Sequence, residues 1–181
     1  MQKVSLSSFN NSWYKPGNSL KRFIWYFKNL IIFKSSIPWP YSWKVFALKF
    51  FGANVGKGVL IKPSVNIKYP WFLEIGDNVW IGEEVWIDNL GKVKIGNDVC
   101  ISQGAFLLTG NHDYTKSTFD LIIKPITIED GVWVGAKAVV CPGVTMHSHS
   151  VLTAGSVLTK DAESYTIYQG NPAVAVRKRE F

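Results

Sequence analysis

Five side chains of this 181-residue chain could act as a base or a nucleophile near neutral pH: His112, His147, His149, Cys100 and Cys141. An imidazole titrates near neutral pH, so it can take a proton from a hydroxyl and return it to a leaving group. The two cysteines are far apart and lack metal-ligand spacing, which indicates small core residues in a reducing compartment. Among the histidines, His112 stands out because it lies in the segment TGNHDY, where a regular repeat stops.

The repeat is an aliphatic residue at every sixth position. A helix turns about 100° per residue, so residues six apart cannot share a helix face, whereas they lie on the same side of extended strands. A glycine often follows the aliphatic residue, as at Gly76 and Gly96, and we expect it to supply a permissive φ angle at a bend. The sequence therefore predicts short strands that turn a corner every six residues. Five groups of three positions follow this pattern: Val55, Ile61, Ile67; Ile75, Ile81, Ile87; Ile95, Ile101, Leu107; Ile128, Val134, Val140; Met146, Leu152, Leu158.

Three such strands make one triangular coil, and the coils stack into an all-β, single-stranded parallel β-helix. Burying an aliphatic side chain contributes ~1.5–3 kcal/mol, while fixing one backbone residue costs ~1–2 kcal/mol, so one coil cannot stand alone. The open ends of the stack need caps. We predict a helical N-terminal extension over residues 1–53, the solenoid over 54–160, and a C-terminal tail over 161–181.

The repeat pauses once, between Leu107 and Ile128. We predict that residues 113–127 leave the solenoid as an excursion loop, with His112 at its base. Long loops in compact repeats commonly carry function. This placement favours a functional histidine over one that only caps a turn.

Composition narrows the classes of protein. With 47% hydrophobic and 18% charged residues the chain is globular, and its net charge of +7 suits nucleic acid, an anionic membrane or a phosphorylated ligand. The basic residues are spread over termini and turns without aromatic interleaving, so we expect no nucleic-acid binding. No basic-then-apolar leader opens the chain and no run of 18 apolar residues occurs, which predicts a cytoplasmic protein.

Several segments together carry a resemblance to a known family. The [Ile/Val]-Gly hexapeptides, TGNHDY, IEDGVWVGAKAVVCPGVT, TAGSVLTKD and GNPAVAVRKR resemble the hexapeptide-repeat acyltransferases, in particular the acetyltransferases of colanic acid and capsule biosynthesis. The resemblance covers nearly the whole chain. It implies a left-handed β-helix, a homotrimer with active sites between subunits, and metal-free transfer of an acetyl group from acetyl-CoA to a sugar hydroxyl in surface polysaccharide biosynthesis.

The resemblance also implies roles for individual residues. His112 would be the general base of a direct transfer without an acyl-enzyme, and a backbone N–H near Ala136 would meet the oxyanion. Asp113 would either orient the imidazole or cap the loop. Val174 stands where many relatives carry Lys or Arg, so Arg177, Lys178 and Arg179 are the candidates for the 3′-phosphate. The positions implied to contact CoA are Ala136, Ala154, Thr159, Lys160, Pro172, Ala173 and Arg177.

The saccharide acceptor is expected near Asp88 and Asn89, which interrupt the repeat in WIDNLGKV. An amide can donate to and accept from sugar hydroxyls, although the same residues can form a turn that absorbs two extra positions.

The N-terminal extension reads as a helix over residues 19–34 and a second over 42–51. The first is apolar almost all round, which is typical of a helix buried between subunits or lying in an anionic membrane interface. We expect capping and trimer packing, with peripheral membrane contact through residues 19–51 as an addition.

Two other functions fit parts of the sequence. A hexapeptide solenoid can be a zinc carbonic anhydrase, with His112, His147 and His149 as ligands, although the His-x-x-x-x-His spacing of that class is absent. A non-catalytic scaffold is the other.

Overall fold

A computed structural model describes residues 3–181. Two α-helices open the fold, α1 (Ser19–Lys28) and α2 (Tyr41–Phe50); α1 runs on into a π-helical segment, Asn29–Phe33, and short 3-10 turns lie at Leu6–Ser8 and Pro70–Phe72. Nineteen strands follow: β1 Asn54–Val55, β2 Leu60–Ile61, β3 Asn66–Ile67, β4 Leu73–Ile75, β5 Trp80–Ile81, β6 Trp86–Asp88, β7 Val93–Ile95, β8 Cys100–Ile101, β9 Phe106–Leu108, β10 Gly110–His112, β11 Leu121–Ile123, β12 Ile126–Ile128, β13 Trp133–Val134, β14 Val139–Val140, β15 Thr145–Met146, β16 Val151–Leu152, β17 Val157–Leu158, β18 Thr166–Gly170 and β19 Ala173–Lys178.

The short strands form the three faces of a triangular prism. One face is the parallel sheet β1-β4-β7-β12-β15, the second contains β2-β5-β8-β13-β16-β18, and the third is β3-β6-β9-β14-β17. The predicted aliphatic positions pair with one another between coils, as Ile75 does with Ile95 and Ile95 with Ile128. The predicted parallel β-helix is confirmed. β19 closes the second face by pairing antiparallel with β18.

The core is the axis of the prism. None of the fifteen repeat positions is more than 4% exposed, and a second set of small or β-branched side chains, including Val79, Val85 and Ala138, fills the corners between them. Cys100 and Cys141 are both half-buried; Cys141 packs against the core, but the prediction of a core residue is wrong for Cys100. Cys100 precedes the inward-pointing Ile101 on β8, and successive strand residues face opposite sides.

The glycines that follow the repeat positions are required for a different physical reason from the predicted bend. Gly76 and Gly96 do not have positive φ angles; a Cβ on Gly76 would lie 2.6 Å from Asn97 Oδ1 and 2.7 Å from the carbonyl carbon of Gly96. Close approach of the next coil therefore excludes a side chain there. The left-handed conformation falls two residues later, at Asn78 (φ 57°) and Asp98 (φ 54°).

The N-terminal helices cover the open end of the prism. Trp25 of α1 is buried and its Nε1 donates a hydrogen bond to the Ile67 carbonyl at 2.9 Å. Lys44 of α2 is fully buried, and its Nζ donates to the carbonyls of Ile61 at 3.1 Å and Lys62 at 2.7 Å. Burial lowers the pKa of Lys44 to about 8. These two side chains satisfy first-coil carbonyls that have no preceding coil to pair with.

Candidate active site

The excursion is an antiparallel hairpin that stands on one edge of the prism. β10 pairs with β11, with His112 opposite Leu121. At its base, Lys124 N donates to the Thr109 carbonyl at 3.0 Å, and the Thr109 hydroxyl donates to the Asp88 carbonyl at 2.8 Å. Where the sequence predicted a loop over 113–127, β12 already returns to the prism at Ile126, in register with Val93. The hairpin holds His112 on paired strands.

Asp113 caps the tip of the hairpin. Its Oδ1 accepts hydrogen bonds from the Thr115 hydroxyl at 2.6 Å and from Thr115 N at 3.1 Å. The hydrogen bond from the Thr115 side chain is the largest influence that lowers the Asp113 pKa. Of the two roles that the sequence left open for Asp113, the structure therefore has the loop cap.

His112 is oriented by Phe119, across the hairpin. Nδ1 lies 2.8 Å from the Phe119 carbonyl oxygen, and the two rings stack with centroids 4.3 Å apart. Because a carbonyl only accepts, Nδ1 carries the proton in this contact, and Nε2 of the neutral ring is left with the lone pair. Phe9 packs on the ring from the N-terminal segment, with centroids 5.5 Å apart. This tautomer is the one that a general base at Nε2 requires.

A cleft of about 630 Å³ lies beside His112. The N-terminal segment supplies much of its wall, together with Arg22 of α1 and the corner after β3; among the lining residues are Phe9, Tyr14, Lys15, Arg22, Lys68 and Tyr69. Tyr14 donates to the Leu90 carbonyl at 2.7 Å, and burial raises its pKa. The sequence gave no sign that this N-terminal segment meets a histidine about a hundred residues away.

Asp88 and Asn89 do not line the cleft, but each contacts a residue that does. Asn89 is fully buried; its Oδ1 accepts from Tyr69 N at 3.0 Å and its Nδ2 donates to the Tyr69 carbonyl at 2.6 Å. The Asp88 carboxylate pairs with Lys68 Nζ at 2.9 Å. Both residues therefore hold a cleft-lining residue in place, and the Asn89 amide is committed to the turn.

The positions implied to contact CoA fall on more than one edge of the prism. Ala136 and Ala154 occupy stacked turns, joined by a hydrogen bond from Gly155 N to the Ala136 carbonyl at 2.8 Å. The Ala136 N–H donates to no group among residues 3–181, which leaves it available to a ligand. Gly170 N donates to the Ser156 hydroxyl at 3.0 Å, which holds the start of the tail against the turn of Ala154. Pro172 and Ala173, two and three residues later, therefore lie next to these turns.

Thr159 and Lys160 follow β17, on the edge that carries the hairpin in an earlier coil. Arg177 lies farther along β19, opposite Ile167. Its basic neighbours are engaged within the chain: Lys178 donates to the Thr166 hydroxyl at 2.9 Å, and Arg179 donates to the Gly131 carbonyl at 2.9 Å. Arg177 makes no such contact within the described part of the chain, so it is the basic residue of the tail that remains available.

The three histidines have separate surroundings. His147 Nδ1 lies 3.1 Å from Glu129 Oε1, and His149 stacks on Tyr165. His147 and His149 both lie in the turn after β15, outside any strand. Within residues 3–181, no three His, Cys, Asp or Glu side chains of one chain come close enough to hold a metal ion.

Comparison with known proteins agrees with this architecture. Residues 125–160 match the family described as bacterial transferase hexapeptide (six repeats). The chain is 39% identical over 166 residues to the colanic acid biosynthesis acetyltransferase WcaF of Escherichia coli (strain K12), covering 92% of this chain and 91% of WcaF. It is 32% identical over 134 residues to the galactoside O-acetyltransferase of the same organism, covering 72% of this chain and 66% of that protein.

A solved structure shares the fold over most of its length. The hexapeptide-repeat acetyltransferase of Vibrio cholerae O1 biovar eltor, in complex with acetyl-coenzyme A, matches with a TM-score of 0.80 and 25% sequence identity, covering 90% of this chain and 88% of that one.

Proposed function

Because the chain belongs to the hexapeptide-repeat acetyltransferases, we propose that it moves the acetyl group of acetyl-CoA to a hydroxyl of a saccharide, with His112 as the general base. The left-handed β-helix and the acetyl-CoA-dependent acyltransferase activity implied by the resemblance are confirmed by the relatives. The saccharide and the role of His112 are the proposal. The observation that carries it is the contact between His112 Nδ1 and the Phe119 carbonyl, which leaves Nε2 to face an acceptor.

The reaction needs a base because a sugar hydroxyl is a poor nucleophile while it keeps its proton. His112 Nε2 takes that proton as the sugar oxygen forms a bond to the thioester carbonyl carbon. The carbon–sulfur bond then breaks, and the imidazolium returns the proton to the departing CoA thiolate. The Phe119 carbonyl keeps its hydrogen bond to Nδ1 throughout and stabilises the imidazolium. General-base catalysis of this kind contributes about 10²–10⁴-fold.

The acetyl donor is proposed to lie along the turns of Ala136 and Ala154, with Thr159, Lys160, Pro172, Ala173 and Arg177 along the pantetheine arm and phosphates. The Ala136 N–H would donate to the oxyanion. Within one chain, the Ala136 and Ala154 turns lie on a different edge of the prism from His112, whereas Thr159 and Lys160 lie on the edge that carries its hairpin. About six residues of extended chain, roughly 20 Å, separate neighbouring edges of a coil.

We therefore propose that the site is completed by a second copy of the chain. A contact between two different edges of the prism is heterologous, and three copies close such a contact into a ring when each is rotated by about 120°. A homotrimer with three sites between its subunits satisfies this geometry.

The 39% identity to WcaF over almost the whole of both chains supports a role in surface polysaccharide biosynthesis. The test is to incubate the protein with acetyl-CoA and a panel of saccharides, and to measure both the free thiol of CoA and the mass of the saccharide. We expect thiol release that depends on the saccharide, together with an acetylated product that alkali hydrolyses as an ester. Thiol release that no saccharide accelerates would contradict the proposal.

A further inference from the structure

The cleft beside His112 continues into a second one along α1. The second cleft, of about 420 Å³, shares Arg22, Lys68 and Tyr69 with the first. Its remaining wall includes three exposed side chains, Phe23 and Tyr26 of α1 and Leu30 of the π-helical segment. Together the two clefts make one groove, which begins at His112, passes between Arg22 and Lys68, and ends on the apolar face of α1.

The middle of this groove is cationic. The first 73 residues contain eleven Lys or Arg and no Asp or Glu, and the Asp88 carboxylate pairs with Lys68 at 2.9 Å. Arg22 donates through Nη2 to the Ser19 hydroxyl at 3.1 Å, while its Nε is buried and makes no hydrogen bond within the described residues. A planar guanidinium with donors to spare binds phosphate oxygens in a fork, and the lysine adds a point charge.

The far end of the groove is apolar and uncovered. Phe23 is 62% exposed, Tyr26 63% and Leu30 45%. Phe23 and Tyr26 contact the exposed ring of Phe27. Other exposed apolar residues of the helical region are Leu20, Ile31, Trp43, Phe46 and Phe50. An apolar face flanked by Lys21, Lys28 and Lys34 fits the boundary between anionic headgroups and acyl chains. None of the helices within residues 3–181 has the length and hydropathy of a membrane span.

We propose that the acceptor is an amphiphile, a saccharide joined through a phosphate to a lipid chain. The sugar would lie at His112, the phosphate between Arg22 and Lys68, and the first part of the lipid chain along Phe23, Tyr26 and Leu30, with the rest in the lipid surface. The inference rests on the proposed function and adds the chemical class of its acceptor. The order of the three parts of the groove, base then cations then apolar wall, matches the order of the three parts of such a molecule.

The experiment compares three forms of one saccharide that the enzyme acetylates: the free sugar, its soluble 1-phosphate, and the sugar linked through phosphate to a short prenyl chain in detergent. We expect kcat/KM to rise by about tenfold at each step. Arg22→Gln should reduce the ratio of kcat/KM for the 1-phosphate to kcat/KM for the free sugar by about tenfold. Lys57→Ala, which changes an exposed lysine of the first coil, should leave that ratio unchanged. Leu30→Ser should reduce only the advantage of the prenyl chain, and Phe46→Ser, outside the groove, should not.

Each outcome supports or contradicts the inference. Equal kcat/KM for the three forms would overturn it while the proposed function stands, and failure to acetylate any form would contradict the proposed function. An advantage for the 1-phosphate without a further gain from the prenyl chain would assign the site to a soluble sugar phosphate. An equal loss in Leu30→Ser and Phe46→Ser would mean general adsorption to detergent, and a Leu30→Ser variant that dissociates into monomers would mean that another copy of the chain covers this face.

Discussion

The Phe119 carbonyl oxygen lies 2.8 Å from Nδ1 of His112, and the two rings stack at 4.3 Å. One residue thus fixes both the tautomer and the plane of the imidazole. Phe119 adopts a left-handed backbone conformation (φ 51°), which a non-glycine residue rarely keeps unless its surroundings hold it there.

The Phe119 backbone can be tested separately from its ring. Phe119→Pro cannot adopt a positive φ, so the carbonyl will turn away from Nδ1, and we expect kcat to fall by about 10²-fold or more. Phe119→Gly keeps the backbone conformation and should lose much less. Both should melt near the wild-type temperature, because the hairpin lies outside the prism. Equal kcat in the two variants would contradict a role for the carbonyl.

The pH dependence of the free energy of unfolding should show the lowered pKa of Lys44. Its pKa is about 8 in the folded protein and 10.5 in the unfolded chain, so between these values the unfolded state binds more protons and stability rises with pH. The gain is at most about 3 kcal/mol. The free energy of unfolding is measured by chemical denaturation between about pH 7.5 and about pH 10.5, a range that spans the two pKa values. It should rise with pH in the wild type and in Lys49→Met, an exposed control. Lys44→Met should lack it, and an identical slope in all three proteins would contradict the assignment.

Asn89 should behave as a structural residue. Asn89→Ala leaves the N–H and carbonyl of Tyr69 unpaired, at a cost of about 1–3 kcal/mol for each buried group. We expect a lower melting temperature without any ligand, and no such change in Asn54→Ala on the exposed side of β1. If Asn89→Ala melts like the wild type and only raises KM for the saccharide, Asn89 contacts the acceptor directly.

Arg177 should contribute to binding of the acetyl donor. A change to Glu places a negative charge where we propose a phosphate, so KM for acetyl-CoA should rise by about tenfold with little change in kcat. Lys57→Glu makes the same change of charge far from the tail and should not raise it. The result is read from initial rates at saturating saccharide. An unchanged KM in Arg177→Glu would remove this residue from the proposed donor site.

The sequence predicted the solenoid because its signal lies in the side chains themselves. Each repeat position, such as Ile81 or Ile101, is aliphatic, and the alternation of a strand turns that spacing directly into one buried face. The same reasoning assigned the wrong cause to Gly76, because close approach of the next coil depends on packing between coils rather than on local conformation.

The candidate site could be predicted only in part. The pause in the repeat pointed to His112, yet its partners Phe9 and Phe119 belong to no pattern, and the contact with Phe9 joins segments 103 residues apart. Likewise, Asn89 could be a sugar ligand or part of a turn, and only the position of Tyr69 decides where its amide is used. Contacts of this kind depend on tertiary packing, which periodicity does not encode.

The measurement that tests the central claim most directly is the turnover of His112→Ala with acetyl-CoA and an accepted saccharide, beside His147→Ala as a matched histidine control. The account predicts that kcat falls by about 10²–10⁴-fold in His112→Ala, with the melting temperature unchanged, while His147→Ala stays within about threefold of the wild type. A folded His112→Ala protein with kcat within about threefold of the wild type would show that another group takes the proton.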